Sequence, residues 1–291
     1  MTLSRFEYFA PETIEQGVML LKEKGDGAVV MAGGTDLLIK LRHRLLSPKA
    51  VIGLKRIKGL DRIAFDKKRG LSIGATVLLG DIASHPDILK KYPAIAYAAQ
   101  ETATVQVRNM GTVAGNLCNA APSADNAPTL IAMGAEVTLV SAKGERKLPL
   151  DQFFKGPGLT AIEQGEILTS IFVPLPPPSS GVSYKHISAR GKVDISAVGV
   201  SAMVIMSGET CKEGKIVLGA VAPVPLRAIK TEKLIKGKKL TGELIERAGV
   251  QAADESRPIT DVRATAEYRK KMVYVLTKRA LREAKQRAMK K

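Results

Sequence analysis

Two glycine-rich turns, Ala32-Gly33-Gly34-Thr35-Asp36 and Gly111-Thr112-Val113-Ala114-Gly115-Asn116, carry the residue types best suited to chemistry in this 291-residue chain. Glycine tolerates positive φ and lets the backbone come close to a ligand. The unpaired amides at a helix start, with the positive end of the helix dipole, favour a phosphate or pyrophosphate. The first turn follows Ala28-Val29-Val30-Met31 and precedes Leu37-Leu38-Ile39-Lys40-Leu41, so it joins a predicted strand to a predicted helix, with Thr35 near the N-cap. Alone, a Gly-Gly-Thr turn serves plain chain reversal as readily as anion binding. The second turn sits inside Gln106 to Pro128, a polar, glycine-punctuated stretch too long for an ordinary connection, and such loops are commonly functional.

Other reactive side chains are sparse. His43, His85 and His186 lie far apart and lack metal-ligand spacing, so no metal site is expected. Cys118 and Cys211 supply neither a disulfide framework nor the thiolates for zinc or an iron-sulfur cluster. Cys118 has no histidine near it in sequence and reads as a small buried residue, not a nucleophile. No catalytic side chain is assigned. Two isolated thiols, and no signal sequence in Met1 to Glu7, fit a cytoplasmic location. The longest apolar run, Ile195 to Met206, is too short for a transmembrane segment. A net charge of +17, densest from Lys278 to Lys291, invites a nucleic-acid reading. The basic residues are not interleaved with aromatics and no nucleic-acid-binding signature is present, so the charge is read as solvated surface plus a docking face, with no nucleic acid as partner.

The elements that must position the turns follow from periodicity. Residues 1 to about 56 read as a small βαβ lobe: a helix from Thr13 with Thr13 and Gln16 as a capping box, a strand at 29–31, a helix from Leu37 to Arg44 and a strand from Val51 to Leu54. Residues 57–175 read as a larger mixed α/β lobe. It has a hairpin at 63–75, helices near 78–83, 94–102 and 126–133, and strands at 136–140 and 166–173. The prolines of 174–178 mark a boundary, because they exclude both a helix and a central strand. Beyond it, 181–291 reads as strands at 182–187, 195–206 and 215–222, then helices at 229–236, 241–252 and 266–288. The class is α+β.

Taken in order, Ala-Gly-Gly-Thr-Asp at 32–36, Thr-Val-Ala-Gly-Asn-Leu-Cys-Asn-Ala at 112–120, Ser123-Ala124-Asp125, Phe153 to Gly158 and Tyr184 to Ser188 resemble the FAD-binding subunit of the molybdenum hydroxylases. That family includes the carbon monoxide dehydrogenase medium subunits and the flavin domain of xanthine dehydrogenase, and the resemblance covers essentially the whole chain. One departure is Ala114, where the family carries a second glycine; a slightly tighter loop is expected from its methyl group. The resemblance implies a two-lobed FAD-binding domain followed by a C-terminal domain of three-stranded antiparallel sheet and helical bundle.

It also implies site residues. The amides of Ala32, Gly33, Gly34, Thr35, Asp36 and Leu37 hold the FAD pyrophosphate, with the Asp36 carboxylate capping the helix or pointing outward. Gly111, Thr112, Gly115 and Asn116 form the opposite wall. Asp125 accepts from flavin-side hydroxyls, caps the helix that follows, or does both. Ile162 walls the adenine. Lys185 stands near the flavin pyrimidine ring, its alternative being a solvated strand lysine. Arg190 and Asp194 match a structural ion pair, and a position that often stacks an aromatic on the flavin falls near Thr102.

In function the resemblance implies a redox relay: electrons from an iron-sulfur small subunit, fed by a molybdopterin-binding large subunit, pass through FAD to an external acceptor such as NAD or a quinone. The alternatives are an FAD or nucleotide binding module without redox activity and a stand-alone FAD oxidoreductase. The stretch Arg263 to Arg269 disfavours the second, because it resembles the hydroxylase subunit.

Overall fold

Thr13 opens the first helix. Its hydroxyl accepts from the Gln16 amide at 3.2 Å, and the Gln16 side chain accepts from the Glu12 amide at 2.9 Å, so the reciprocal bond reaches one residue earlier than a standard capping box. That helix, between strand β1 (Glu7–Phe9) and strand β2 (Ala28–Met31), is α1 (Ile14–Lys24); after β2 come α2 (Leu37–Arg42) and β3 (Ala50–Gly53). The three strands run parallel in the order β1-β3-β2. β1 has no counterpart in the sequence reading, because three residues carry too little alternation to register. The computed structural model describes residues 3–191 and 193–290.

The second lobe begins with the hairpin β4 (Ile63–Asp66) and β5 (Gly70–Gly74). Six helices follow: α3 (Leu79–Ser84), α4 (Pro86–Lys91), α5 (Pro93–Glu101), α6 (Val105–Arg108), α7 (Val113–Asn119) and α8 (Asn126–Ala132). Then come β6 (Glu136–Ser141), β7 (Gly144–Pro149), the short pair β8 (Phe154–Gly156) and β9 (Leu159–Thr160), and β10 (Ile167–Pro174). The main sheet is antiparallel, in the order β4-β5-β10-β6-β7.

The stretch around the second glycine turn, which reads as one long loop, is broken into helical turns. Thr104 accepts from the Val107 amide to start α6, and Thr112 accepts from the Gly115 amide at 2.9 Å to start α7. Val113, Ala114 and Leu117 bury one side of α7, so the Ala114 methyl packs into the core instead of tightening the turn.

The C-terminal part holds three long antiparallel strands, β11 (Ser180–Ser188), β12 (Ser196–Ser207) and β13 (Thr210–Gly219). The two-residue strands β14 (Leu226–Arg227) and β15 (Lys238–Lys239) pair with β13. Between and after them come α9 (Ile229–Ile235), α10 (Gly242–Glu255) and α11 (Ala266–Met289). Gly181 lets α11 settle on the sheet, since a β-carbon there would run into the Ala284 carbonyl oxygen. Successive residues of β11 face opposite ways: Ser183 and Lys185 reach Glu283 on α11, whereas Tyr184 and His186 reach Asp125 and Glu101 of the second lobe. All seven residues of α8 are buried, and a β-carbon on Gly219 of β13 would meet Pro128 at 2.9 Å. The two halves are therefore packed tightly through α8. Among the described residues, no helix is long and apolar enough to cross a membrane.

Candidate functional site

The two glycine turns meet backbone to backbone. A β-carbon on Gly33 would collide with the Met110 carbonyl oxygen and lie 2.8 Å from Gly111 Cα, while one on Gly111 would lie 3.4 Å from Thr35 Oγ1. Gly34 has φ 75°, a conformation that L side chains resist. Among the described residues, the amides of Gly33, Gly34, Thr35 and Asp36 donate to no protein acceptor, so the turn presents a set of free donors. Asp36, not Thr35, occupies the N-cap position of α2; its carboxylate makes no cap bond and is exposed. With α2 only six residues long, the free amides contribute more than the macrodipole to any attraction for an anion.

Between the turns opens a cleft of about 660 Å³, within the range of pockets that take small ligands. Residues 32–37 line one wall, Gly111, Thr112, Gly115 and Asn116 line the other, and Asp125 also lines it. Arg190, Val193, Asp194 and Ile195, from the β11–β12 connection, complete the rim. Ile162 and Lys185 do not line the cleft. Ile162 packs against the main core, and the Lys185 ammonium pairs with Glu283.

Asp125 stands at the start of α8, yet its carboxylate makes no cap bond. Its Oδ1 accepts instead from Tyr184 Oη at 2.7 Å and Ser196 Oγ at 2.6 Å, both from the C-terminal sheet. Burial pushes the Asp125 carboxyl above its ordinary range, and the two hydroxyl donors offset part of that. Asn116 accepts from Asn126 Nδ2 at 3.2 Å, which ties α7 to α8.

Sequence reasoning missed Lys40. It lines the cleft one turn beyond Asp36, and its ammonium donates to Asn119 Oδ1 at 2.7 Å, bridging α2 and α7. The i, i+4 spacing from Asp36 was the available signal. Arg190 and Asp194 bond to each other at 3.0 Å, and the Arg190 guanidinium holds the Asp194 carboxyl down at about 2; beyond forming a tie, both face the cleft. Thr102 lines the cleft where an aromatic was sought, its hydroxyl donating to the Ala98 carbonyl at 2.8 Å. Cys118, read as a buried residue, is half-buried on the cleft wall, and desolvation pushes its thiol up to about 12, which favours the protonated form. The arrangement can hold a bulky anion with an apolar body, and among the described residues no cluster could hold a metal ion.

Comparison with known proteins shows the family and the fold. Residues 4–176 match the family described as "FAD binding domain in molybdopterin dehydrogenase", and residues 183–284 match "CO dehydrogenase flavoprotein C-terminal domain". The glyceraldehyde dehydrogenase medium chain of Sulfolobus acidocaldarius is 32% identical over 278 residues, 96% of this chain and 98% of that one. The carbon monoxide dehydrogenase medium chain of Hydrogenophaga pseudoflava is 33% identical over 280 residues, 96% of this chain and 97% of that one. Among solved structures, carbon monoxide dehydrogenase from the same organism superposes with a TM-score of 0.95 at 33% identity, covering 99% of both chains.

Proposed function

Because this chain belongs to the family of FAD-binding subunits of the molybdopterin dehydrogenases, we propose that it is the electron-transfer subunit of a multi-subunit dehydrogenase and binds FAD in the cleft between its two glycine turns. The observation that carries this reading is the row of free amides from Gly33 to Asp36, held on the cleft wall by the close approach of Gly33 to Gly111 and suited to a pyrophosphate.

The residues present fit that cofactor. Gly33, Gly34, Thr35 and Asp36 would hold the pyrophosphate through their amides, with Lys40 adding a cation and Leu37 and Leu46 apolar surface. Asp125, fixed by Tyr184 and Ser196, would accept from cofactor hydroxyls. Lys185 and Ile162 would act only at a distance, because neither lines the cleft. When bound, FAD supplies the redox chemistry, accepting electrons and passing them on, while the protein binds, orients and tunes it.

The proposed partners are a molybdopterin-binding large subunit and an iron-sulfur small subunit, with NAD or a quinone as external acceptor. Relatives that carry the name medium chain support that assembly. Two free thiols fit the proposed cytoplasmic location. The test is an absorption titration of the purified chain with FAD, followed by anaerobic reduction with dithionite. A stoichiometric flavin spectrum that bleaches supports the reading; a folded chain that binds no FAD, alone or with its partner subunits, removes it.

A further inference from the structure

Asp125 is the cleft end of a hydrogen-bonded file that crosses the junction of the two halves. Ser196 Oγ donates to Asp125 Oδ1 at 2.6 Å, His186 Nδ1 lies 3.1 Å from Ser196 Oγ, and His186 Nε2 lies 3.2 Å from Glu101 Oε2. While Asp125 is a carboxylate the serine proton is committed to it, and Nδ1 is then the donor to Ser196 Oγ. Nε2 and Oε2 would then face each other as two acceptors unless a proton lies between them. The file is thus loaded at its outer end, with every donor aimed towards the cleft.

Ser196 and Asp125 are the most buried members of the file, 2% and 7% exposed, and its outer side chains are more open, at 13% for His186 and 18% for Glu101. The imidazole lies parallel to the Tyr184 ring and near Tyr97, which holds its plane in line with Ser196. The titratable groups facing it are Tyr97 and Glu101 from α5, Tyr184 from β11 and Asp125 at the head of α8, with Glu283 of α11 close to Tyr97. A tie between the halves needs only Tyr184 and Ser196 on Asp125. Neither His186 nor Glu101 lines the cleft, so cofactor contact does not account for them.

We infer that Glu101, His186 and Ser196 form a proton relay that loads and unloads Asp125 and so connects solvent with the cofactor cleft; this rests on the FAD reading above. In one transfer, the proton shared by Glu101 and His186 settles on Nε2 while the Nδ1 proton passes to Ser196 Oγ. The Ser196 hydroxyl proton passes to Asp125 Oδ1, and Glu101 regains a proton from water. One proton moves, each O–H or N–H bond broken is matched by one formed, and no electrons are exchanged. Imidazole suits the middle position because one nitrogen can take a proton as the other gives one up. Burial raises the proton affinity of Asp125, so the cleft end can hold what it receives. A flavin exchanges protons as its redox state changes, and the file offers those protons a path at the buried Asp125 end of the cleft.

Two measurements test the relay. The first is nitrogen NMR of the full chain with ¹⁵N-labelled histidine, His186 being assigned by its loss in H186Q. A proton bonded to Nδ1 is expected, and an unprotonated Nδ1 would overturn the relay without any flavin present. The second loads the full chain with FAD, reduces it with a pulse of electrons and follows proton uptake with an indicator dye. H186Q is expected to slow uptake on the order of a hundredfold with the bound-flavin spectrum kept, S196A to slow it as well, and S196T, which retains the hydroxyl, to restore it. Uptake as fast in S196A or H186Q as in the unaltered chain would overturn the proposal. Failure of the unaltered chain to take FAD would sink the cofactor reading alone, since the histidine spectrum stands apart from it.

Discussion

Gly33 lies against the carbonyl of Met110 so closely that no β-carbon fits between them. The contact joins the first glycine turn to the second and sets the width of the cleft. Gly33→Ala should therefore force the turns apart, costing about 1–3 kcal/mol of stability and abolishing FAD binding. Thermal melting together with an FAD titration checks this; a variant that melts and binds like the unaltered chain would show that the turns are not packed as described.

Lys40 is a cation bonded to a neutral amide, Asn119, at 2.7 Å on the wall of the cleft proposed to take FAD. Lys40→Met should weaken FAD binding on the order of tenfold, or about 1.4 kcal/mol, and flatten its dependence on salt. Flavin fluorescence titrations at low and high ionic strength measure both effects. An unchanged salt slope would remove Lys40 from the pyrophosphate site.

Asp125 has a folded-state pKa raised above the ordinary 3.8 by burial, so the native state binds its proton more tightly than the unfolded chain does. Stability from this group is present below pH 3.8 and is lost as pH rises through the folded value. Asp125→Asn keeps an acceptor for Tyr184 and Ser196 but carries no charge to bury. The cofactor-free variant should melt above the unaltered chain at pH 7, with the gap closing towards pH 4. A variant that melts lower at pH 7 would contradict this sign.

Glu166 shows the opposite linkage. Arg146 holds it by two bonds of 2.6 and 2.7 Å, and the Glu163 amide adds a third at 2.7 Å, which together put its carboxyl below the ordinary 4.5. Its stabilisation is present above pH 4.5 and is lost as pH falls through the lowered value. Glu166→Gln should cost about 1 kcal/mol at pH 7, since Arg146 is half-buried, and progressively less below pH 4.5. Denaturant melts across that range check the convergence.

Cys118 lines the cleft but is held protonated by burial, with a thiol pKa of about 12. Maleimide reagents at pH 7 should leave it unmodified in the folded chain, and Cys118→Ser should bind FAD as before. Fast labelling at Cys118, read by mass spectrometry, would show the cleft wall to be more open than described.

The local signals in the sequence were enough to find both glycine turns, the Thr13 start of α1, most of the strands and helices, and the family. Glycine at a positive-φ turn, threonine at a helix start and apolar residues at helix or strand period act within a few residues, so a linear reading captures them. Among its misses were very short elements such as β1, a charged edge strand, β7, that lacks an apolar face, and a polar stretch that threonine caps turned into α6 and α7.

Other relationships belong to the tertiary structure. Period-2 alternation put Lys185 and His186 on opposite faces of β11, but only the packing of α11 on one face and α5 on the other sent Lys185 to Glu283 and His186 to Glu101. The Asp125 carboxylate had a helix amide within local reach and took two hydroxyls 59 and 71 residues away. Lys40 and Asn119 meet across 79 residues. Such pairs arise when apolar faces bury against each other and carry their polar neighbours with them, so the partner of a buried charge is decided by the packing of the core and not by the residues beside it in the chain.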